Sequence, residues 1–146
     1  MINSRKIEDL DLPARQVCNA HTIGCRAAGI ELLVTSTYRD FEAQDDLYAI
    51  GRTKEPERKP VTNAKAGKSW HNYRCAWDVL ALVGGKAVWE DLVLWKEIIR
   101  IGKAAGAEAG AEWKTFPDRP HFQFTPKPLL LAQAFDRFKE NGTIFI

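Results

Sequence analysis

Two adjacent glycines, Gly84 and Gly85, separate an alternating apolar run, Ala76 to Val83, from a returning segment, Lys86 to Trp89. A glycine pair reaches the positive φ values of a tight turn without a Cβ clash, so the two runs read as a β-hairpin. A hairpin makes its sheet antiparallel at that point. Helical patterns flank it and alternate with other short strand signals, leaving little room for regular βαβ crossovers. The chain therefore reads as α+β, a small antiparallel sheet flanked by helices.

Asp11 and Pro13 mark a helix start, and Val17, Ala20, Ile23 and Ala27 follow at helical spacing as far as Gly29. Leu32, Leu33 and Val34 form a short apolar run read as a buried strand. Asp40 is placed to cap a second helix carrying Phe41, Gln44, Leu47 and Tyr48, which ends at Gly51. Residues 52–68 hold six Lys or Arg, two Glu and two Pro without hydrophobic periodicity: a basic loop of net charge +4. Asp91 opens a third helix with Leu92, Trp95, Ile98 and Ile99, fading at Gly106 and Gly110. Strand-like segments follow at Glu112–Trp113 and from His121 to Phe124. Thr125 and Pro126 suit the first positions of a last helix, stopped by Asn141 and Gly142.

At 146 residues with no internal repeat, low-complexity tract or linker, the chain reads as one domain, 1–146. The 21 Lys and Arg nearly balance the 19 Asp and Glu, which argues against a dedicated nucleic-acid or membrane-surface protein. Three Cys and three His exclude a Cys-only structural zinc site and a zinc-finger array. Any metal chemistry must draw on carboxylates too. The polar start, Met1 to Pro13, lacks the apolar stretch of a signal peptide, and no run is long enough to cross a bilayer. The expectation is a cytoplasmic chain with reduced thiols and no stable membrane insertion. Asn141-Gly142-Thr143 matches a glycosylation sequon but reads as a helix stop.

His71 and His121 lie in polar or turn-like surroundings, each with a carboxylate nearby, Asp78 and Asp118. Two imidazoles and one carboxylate would give zinc three ligands and leave a fourth position for water. Such a site lowers the water's pKa to about 7, and a second carboxylate can take its proton. The alternative is that these are ordinary polar loop residues, with Asp118-Arg119-Pro120-His121 a proline-shaped turn. His21, inside a helical pattern with no carboxylate close in sequence, reads as structural or exposed.

The wider pattern favours the first reading. Ser69-Trp70-His71-Asn72-Tyr73-Arg74-Cys75-Ala76-Trp77-Asp78 resembles the S-x-H-x-x-G-x-A-x-D motif of zinc peptidases. These include D-alanyl-D-alanine carboxypeptidases and phage L-alanyl-D-glutamate endopeptidases. Trp113 to Phe122 resembles their second motif, a tryptophan followed by an acid-x-x-His-Phe element. A third block, Thr35 to Asp40 with Gln44, Tyr48, Gly51 and Arg52, is similar to their S-x-x-R and Gln/Tyr helix, and Val61 to Ala64 through Gly67 also fits. The blocks run in order from about residue 30 to residue 124.

The resemblance implies a Hedgehog/D-Ala-D-Ala-peptidase-like fold and one Zn2+ per chain, held by His71, Asp78 and His121. It implies Asp118 as catalytic base, aspartate rather than glutamate fitting the endopeptidase branch. It implies Arg39, Gln44 and Ser69 as substrate-binding residues; a guanidinium fork suits a carboxylate or a developing oxyanion. For these three a surface ion pair or helix cap is the alternative. The implied substrate is the peptidoglycan stem peptide, cut as by an L-alanyl-D-glutamate endopeptidase (endolysin). A D-alanyl-D-alanine carboxypeptidase and a non-catalytic zinc-stabilised wall-binding module are the alternatives. The implied protein is a monomer, a single zinc peptidase catalytic domain over 1–146 with no separate cell-wall-binding domain. It acts on the wall after release, with help from a separate membrane-permeabilising protein.

His71 and Asp78 are seven residues apart, on opposite faces of any unbroken strand, so the chain must bend between them. The family has glycine where this chain has Arg74. If that position needs positive φ, arginine costs about 1 kcal/mol more than glycine. Otherwise Asn72 or Tyr73 takes the bend, or the path differs. Cys75 reads as a packed thiol rather than a soft ligand. Ala66-Gly67-Lys68-Ser69 lacks the first glycine of a phosphate-binding loop. Of the tryptophans, Trp70 and Trp113 flank the proposed site.

Overall fold

The computed structural model describes residues 1–114 and 117–146; Thr115 and Phe116 of the second motif lie outside the described residues. Among the described residues, four helices, α1 (Leu12–Ala27), α2 (Phe41–Ala49), α3 (Leu92–Ala104) and α4 (Leu131–Asn141), surround a five-stranded antiparallel sheet. Its strands are β1 (Glu31–Ser36), β2 (Ala76–Val83), β3 (Lys86–Ala87), β4 (Glu108–Ala109) and β5 (His121–Gln123). The class expected from the hairpin is the one found.

The hairpin strand β2 is the centre of the sheet. One edge pairs with β1, from Glu31 opposite Leu82 to Ser36 opposite Asp78. The other pairs with β3 at the turn end and with β5 at the opposite end, placing Trp77 opposite Phe122 and Asp78 opposite His121. β4 extends the sheet beyond β5. Gly84 and Gly85 make the turn at φ 58° and 77°. Trp77, Val79 and Ala81, at alternate β2 positions, are fully buried, with Phe122, Trp95 and Ile98 packed around them.

Asp40 and Asp91 cap α2 and α3 as expected, their carboxylates accepting from the N–H of Ala43 and Leu94. Four details depart from the sequence reading. Helix α1 turns a different face inward: Ala14, Cys18, His21 and Cys25 are buried, while Ile23 is 64% exposed. The cause is the close approach of α3. A Cβ on Gly102 would sit 3.0 Å from His21 Nε2, and one on Gly24 would sit 2.7 Å from Ile101, so only small residues admit this crossing. His21 thereby becomes a core residue. Its Nε2–H donates to the Ile98 carbonyl at 3.0 Å, and its Nδ1 accepts from Trp77 Nε1 at 3.3 Å.

The run Leu32–Val34 is half-buried, not buried, because β1 is an edge strand; Leu33 is 47% exposed. The strand before β5 is Glu108–Ala109, and Gly110–Glu112 forms a 3-10 turn instead of extending it. The last helix starts at Leu131, not Pro126. Pro128 biases Lys127 away from helical φ/ψ, so no helix nucleates there. Thr125 instead donates its hydroxyl to Glu108 Oε2 at 3.1 Å. The stop at Gly142 is as expected, at φ 72°.

Candidate active site

Sheet register does most of the assembly. Asp78 on β2 lies directly opposite His121 on β5, so both side chains project from one face of the sheet. His71 arrives from a 3-10 helix, Trp70–Tyr73, whose N-cap is Ser69; the Ser69 hydroxyl accepts from the His71 N–H at 3.3 Å. The bend between His71 and Asp78 is taken by Arg74 itself, at φ 57°, ψ 34°. Neither Asn72 nor Tyr73 absorbs it. Two contacts offset the left-handed strain: the Arg74 guanidinium stacks 3.9 Å from the Tyr38 ring centre, and Nη1 donates to the Asp9 carbonyl at 3.4 Å. Cys75, next in sequence, is fully buried with its thiol toward the Trp70 carbonyl, away from the ligand group.

His71 Nε2 and His121 Nδ1 lie 3.2 and 3.3 Å from the same oxygen, Asp78 Oδ1. The candidate ligand atoms of the three residues all fall within 4.8 Å of one another. Each ring is held from behind. His71 Nδ1–H donates to the Thr37 carbonyl at 2.8 Å, and His121 Nε2–H donates to Gln123 Oε1 at 2.8 Å. When the rings are neutral, as metal binding requires, these bonds leave the lone pair of each on its inward nitrogen. This is the outer-shell arrangement that orients histidine for a metal. Two neutral nitrogens and one carboxylate oxygen on a shared point fit zinc, and they leave a position for water.

Burial alone would raise the proton affinity of Asp78, but His71 and His121 outweigh it and hold the carboxyl well below the usual range. His121 moves upward: burial opposes its charge, but Asp78, Gln123 and Asp118 favour it. Asp118 opens into the same cleft, and its pKa is raised by desolvation first and by the charge of Asp78 second.

The cleft has a volume of about 640 Å³, and His71, Asp78, Asp118, His121, Arg39 and Ser69 all line it. Trp70, Trp113 and the loop segment 61–64 complete its walls. Trp113 packs on the His121 ring with centroids 4.8 Å apart. Of the tryptophans, Trp77 and Trp95 belong to the core and Trp89 is 46% exposed.

Gln44 is the one expected site residue that does not reach the cleft. It is fully buried, its Oε1 accepting from Arg39 Nη1 at 2.9 Å and its Nε2 donating to the Ala64 carbonyl at 2.7 Å. It holds Arg39 from beneath. Arg39 Nη2 donates to Ser36 at 3.1 Å, while Nε is buried without a partner among the described residues. Burial lowers the Arg39 pKa, and Asp78 partly restores it.

Three supporting residues escaped the sequence reading. Asn72 takes the Gly67 and Ser69 N–H groups on its oxygen and donates to the Arg39 carbonyl at 2.9 Å; the Ser69-x-x-Asn72 spacing of a capping box was its signal. Gln123 lies two residues from His121 on the same strand face, a period-2 relation that was also readable. Gly110, whose carbonyl accepts from the Asp118 N–H at 2.9 Å, gave no sequence signal because the need is purely steric.

Comparison with known proteins agrees with this geometry. The family model for D-alanyl-D-alanine carboxypeptidase matches residues 62–124. The chain is 37% identical over 119 residues to the peptidoglycan L-alanyl-D-glutamate endopeptidase CwlK of Bacillus subtilis, covering 74% of this chain and 70% of that protein. Among solved structures it resembles the Serratia marcescens L-Ala D-Glu endopeptidase ChiX, with TM-score 0.60 at 24% identity, covering 82% of this chain and 83% of that one. It also resembles the D,D-pentapeptidase VanY solved with Zn(II), with TM-score 0.61 at 15% identity, covering 92% of this chain and 80% of that one. The last two likenesses show a shared fold. The match to CwlK, over most of both chains, shows the family: the chain belongs to the D-alanyl-D-alanine carboxypeptidase family of peptidases whose model it matches.

Proposed function

We propose that the protein is a zinc-dependent peptidoglycan peptidase that hydrolyses the L-alanyl-D-glutamate bond of the stem peptide. The observation that carries the reading is the convergence of His71 Nε2, Asp78 Oδ1 and His121 Nδ1 in one cleft with a second carboxylate, Asp118. The first three would hold the zinc. When bound, zinc supplies Lewis acidity toward the scissile carbonyl and lowers the pKa of water. Asp118 accepts the proton of the attacking water and returns it to the departing amine, and its raised proton affinity suits that exchange. Arg39, held by Gln44 and Ser36, anchors a substrate carboxylate or the oxyanion. Ser69 at the cleft edge hydrogen-bonds substrate, and Gln44 contributes by positioning Arg39.

The preference for the L-alanyl-D-glutamate bond rests on the likeness to CwlK and on aspartate at position 118. Mass spectrometry of peptidoglycan digested by the zinc-loaded protein tests it. New amino groups on D-glutamate, with stems released from L-alanine, are expected. Loss of a single terminal alanine would assign the D-alanyl-D-alanine carboxypeptidase activity instead. Wall binding with no new amino groups would assign a non-catalytic module.

A further inference from the structure

We propose that Glu108, which touches neither metal ligand nor cleft, selects the nitrogen that His121 turns toward the zinc, acting through the amide of Gln123. The inference rests on the zinc-site reading above and adds a positioning residue to it. Glu108 on β4 lies opposite Gln123 on β5. Its Oε2 accepts from Gln123 Nε2 at 3.1 Å and from Thr125 Oγ1 at 3.1 Å, and its Oε1 pairs with Lys127 Nζ at 2.6 Å.

An ionised carboxylate only accepts, whereas a primary amide donates from one end and accepts from the other. Glu108 therefore claims the NH2 end of Gln123, and the oxygen end must face His121 Nε2, which it meets at 2.8 Å. An amide oxygen there favours the ring proton on Nε2, whereas without a metal the Asp78 carboxylate, 3.3 Å from Nδ1, competes to hold it on the other nitrogen. With the proton on Nε2, the neutral imidazole has its lone pair on Nδ1, the atom 3.3 Å from Asp78.

Without the carboxylate the amide is free to rotate by half a turn. Its NH2 then faces Nε2, the proton moves to Nδ1, and the inward nitrogen can no longer act as a ligand. His71 is not exposed to this failure. Its tautomer is set by the backbone carbonyl of Thr37, which cannot turn over. Of the two histidines, only His121 depends on a side-chain relay.

The test compares the wild type with Glu108→Met, which removes the acceptor and keeps most of the volume. Lys127→Ala serves as a control that leaves the Glu108–Gln123 bond in place. Zinc affinity is measured by competition with a chromogenic chelator, and ring protonation by 15N NMR of the histidines in metal-free protein at alkaline pH, in an Asp78→Ala background so that no Asp78 carboxylate faces the two rings. D78A should show His121 protonated on Nε2 and His71 on Nδ1. E108M should bind zinc about 10- to 100-fold more weakly, and adding it to D78A should shift His121 toward the Nδ1–H form. K127A should stay within about twofold of wild type, because that lysine is 67% exposed.

Unchanged zinc affinity in E108M, or weakened affinity with the His121 tautomer unmoved, would overturn the proposal. A D78A spectrum showing His121 protonated on Nδ1 overturns it as well, even if E108M does not fold. A wild type that binds no zinc refutes the peptidase reading instead, while the metal-free spectra still decide the relay.

Discussion

Replacing Gly110 by alanine adds one methyl group where the structure has no space for it. A Cβ at this position would lie 2.5 Å from the Asp118 carbonyl oxygen, 2.9 Å from His121 Cβ and 3.1 Å from the His121 carbonyl oxygen. Ordinary contact begins near 3.4 Å, so the Asp118 backbone must retreat by about 0.9 Å, the difference between 3.4 and 2.5. The backbone of Gly110 is not in the positive-φ region, so the effect is steric and not conformational. The displaced segment carries both the proposed base and a proposed zinc ligand, and a misplacement near 1 Å in such groups costs about 100-fold in rate. Overpacking of this kind also destabilises by about 1–3 kcal/mol.

The assay is kcat/KM for amino-group release from purified stem peptide at saturating zinc, with urea unfolding measured in parallel. Gly84→Ala is the control. Nothing lies within 4 Å of its added Cβ, but its φ of +58° strains alanine, so stability should fall by about 1 kcal/mol with activity unchanged. If G110A keeps kcat/KM within about threefold of wild type, the close seating of Asp118 and His121 on Gly110 has no catalytic role.

Three further outcomes are expected. Burial lowers the His21 pKa from 6.5 to about 4, so the folded state binds fewer protons than the unfolded one between those values. Stability contributed by neutral His21 is complete above pH 6.5 and is lost as pH falls through that window, by about 3 kcal/mol. Urea titrations across pH should show this extra slope in the wild type and not in His21→Gln. At Arg74, alanine removes the stack on Tyr38 without relieving φ 57°, whereas glycine relieves it. R74A should lose about 1–2 kcal/mol and R74G less than half of that; a reversed order in thermal melts would refute the strain argument. Gln44→Leu leaves Arg39 Nη1 and the Ala64 carbonyl unpaired, so it should cost about 2–4 kcal/mol in urea unfolding. It should also raise KM more than it lowers kcat, and unchanged KM would remove Gln44 from its role beneath Arg39.

The parts of the molecule readable from sequence were those decided by local chemistry. Gly84-Gly85 dictates a turn whatever packs around it, and Asp40 and Asp91 cap helices with their own carboxylates. The motifs brought His71, Asp78, Asp118 and His121 into view, and the register of β2 with β5 explains why distant residues meet. What could not be read was set by partners far along the chain. Two stripes of α1 have similar spacing, and the choice between them depends on Gly24 and Gly102 letting α3 approach. His21 read as structural or exposed, and the choice between the two was made by Ile98 and Trp77, which supply its hydrogen bonds in the core. Arg74 adopts a glycine conformation because Tyr38 and Asp9, remote in sequence, hold its side chain.

The central claim is that one zinc on His71, Asp78 and His121 works with Asp118 as the base, and Asp118→Asn tests it most directly. The substitution keeps size and removes only proton affinity. Zinc content and peptidoglycan cleavage are measured on the same preparation. The account predicts one zinc per chain, as in the wild type, with stem-peptide cleavage lost. Full cleavage by D118N at that zinc content would contradict it.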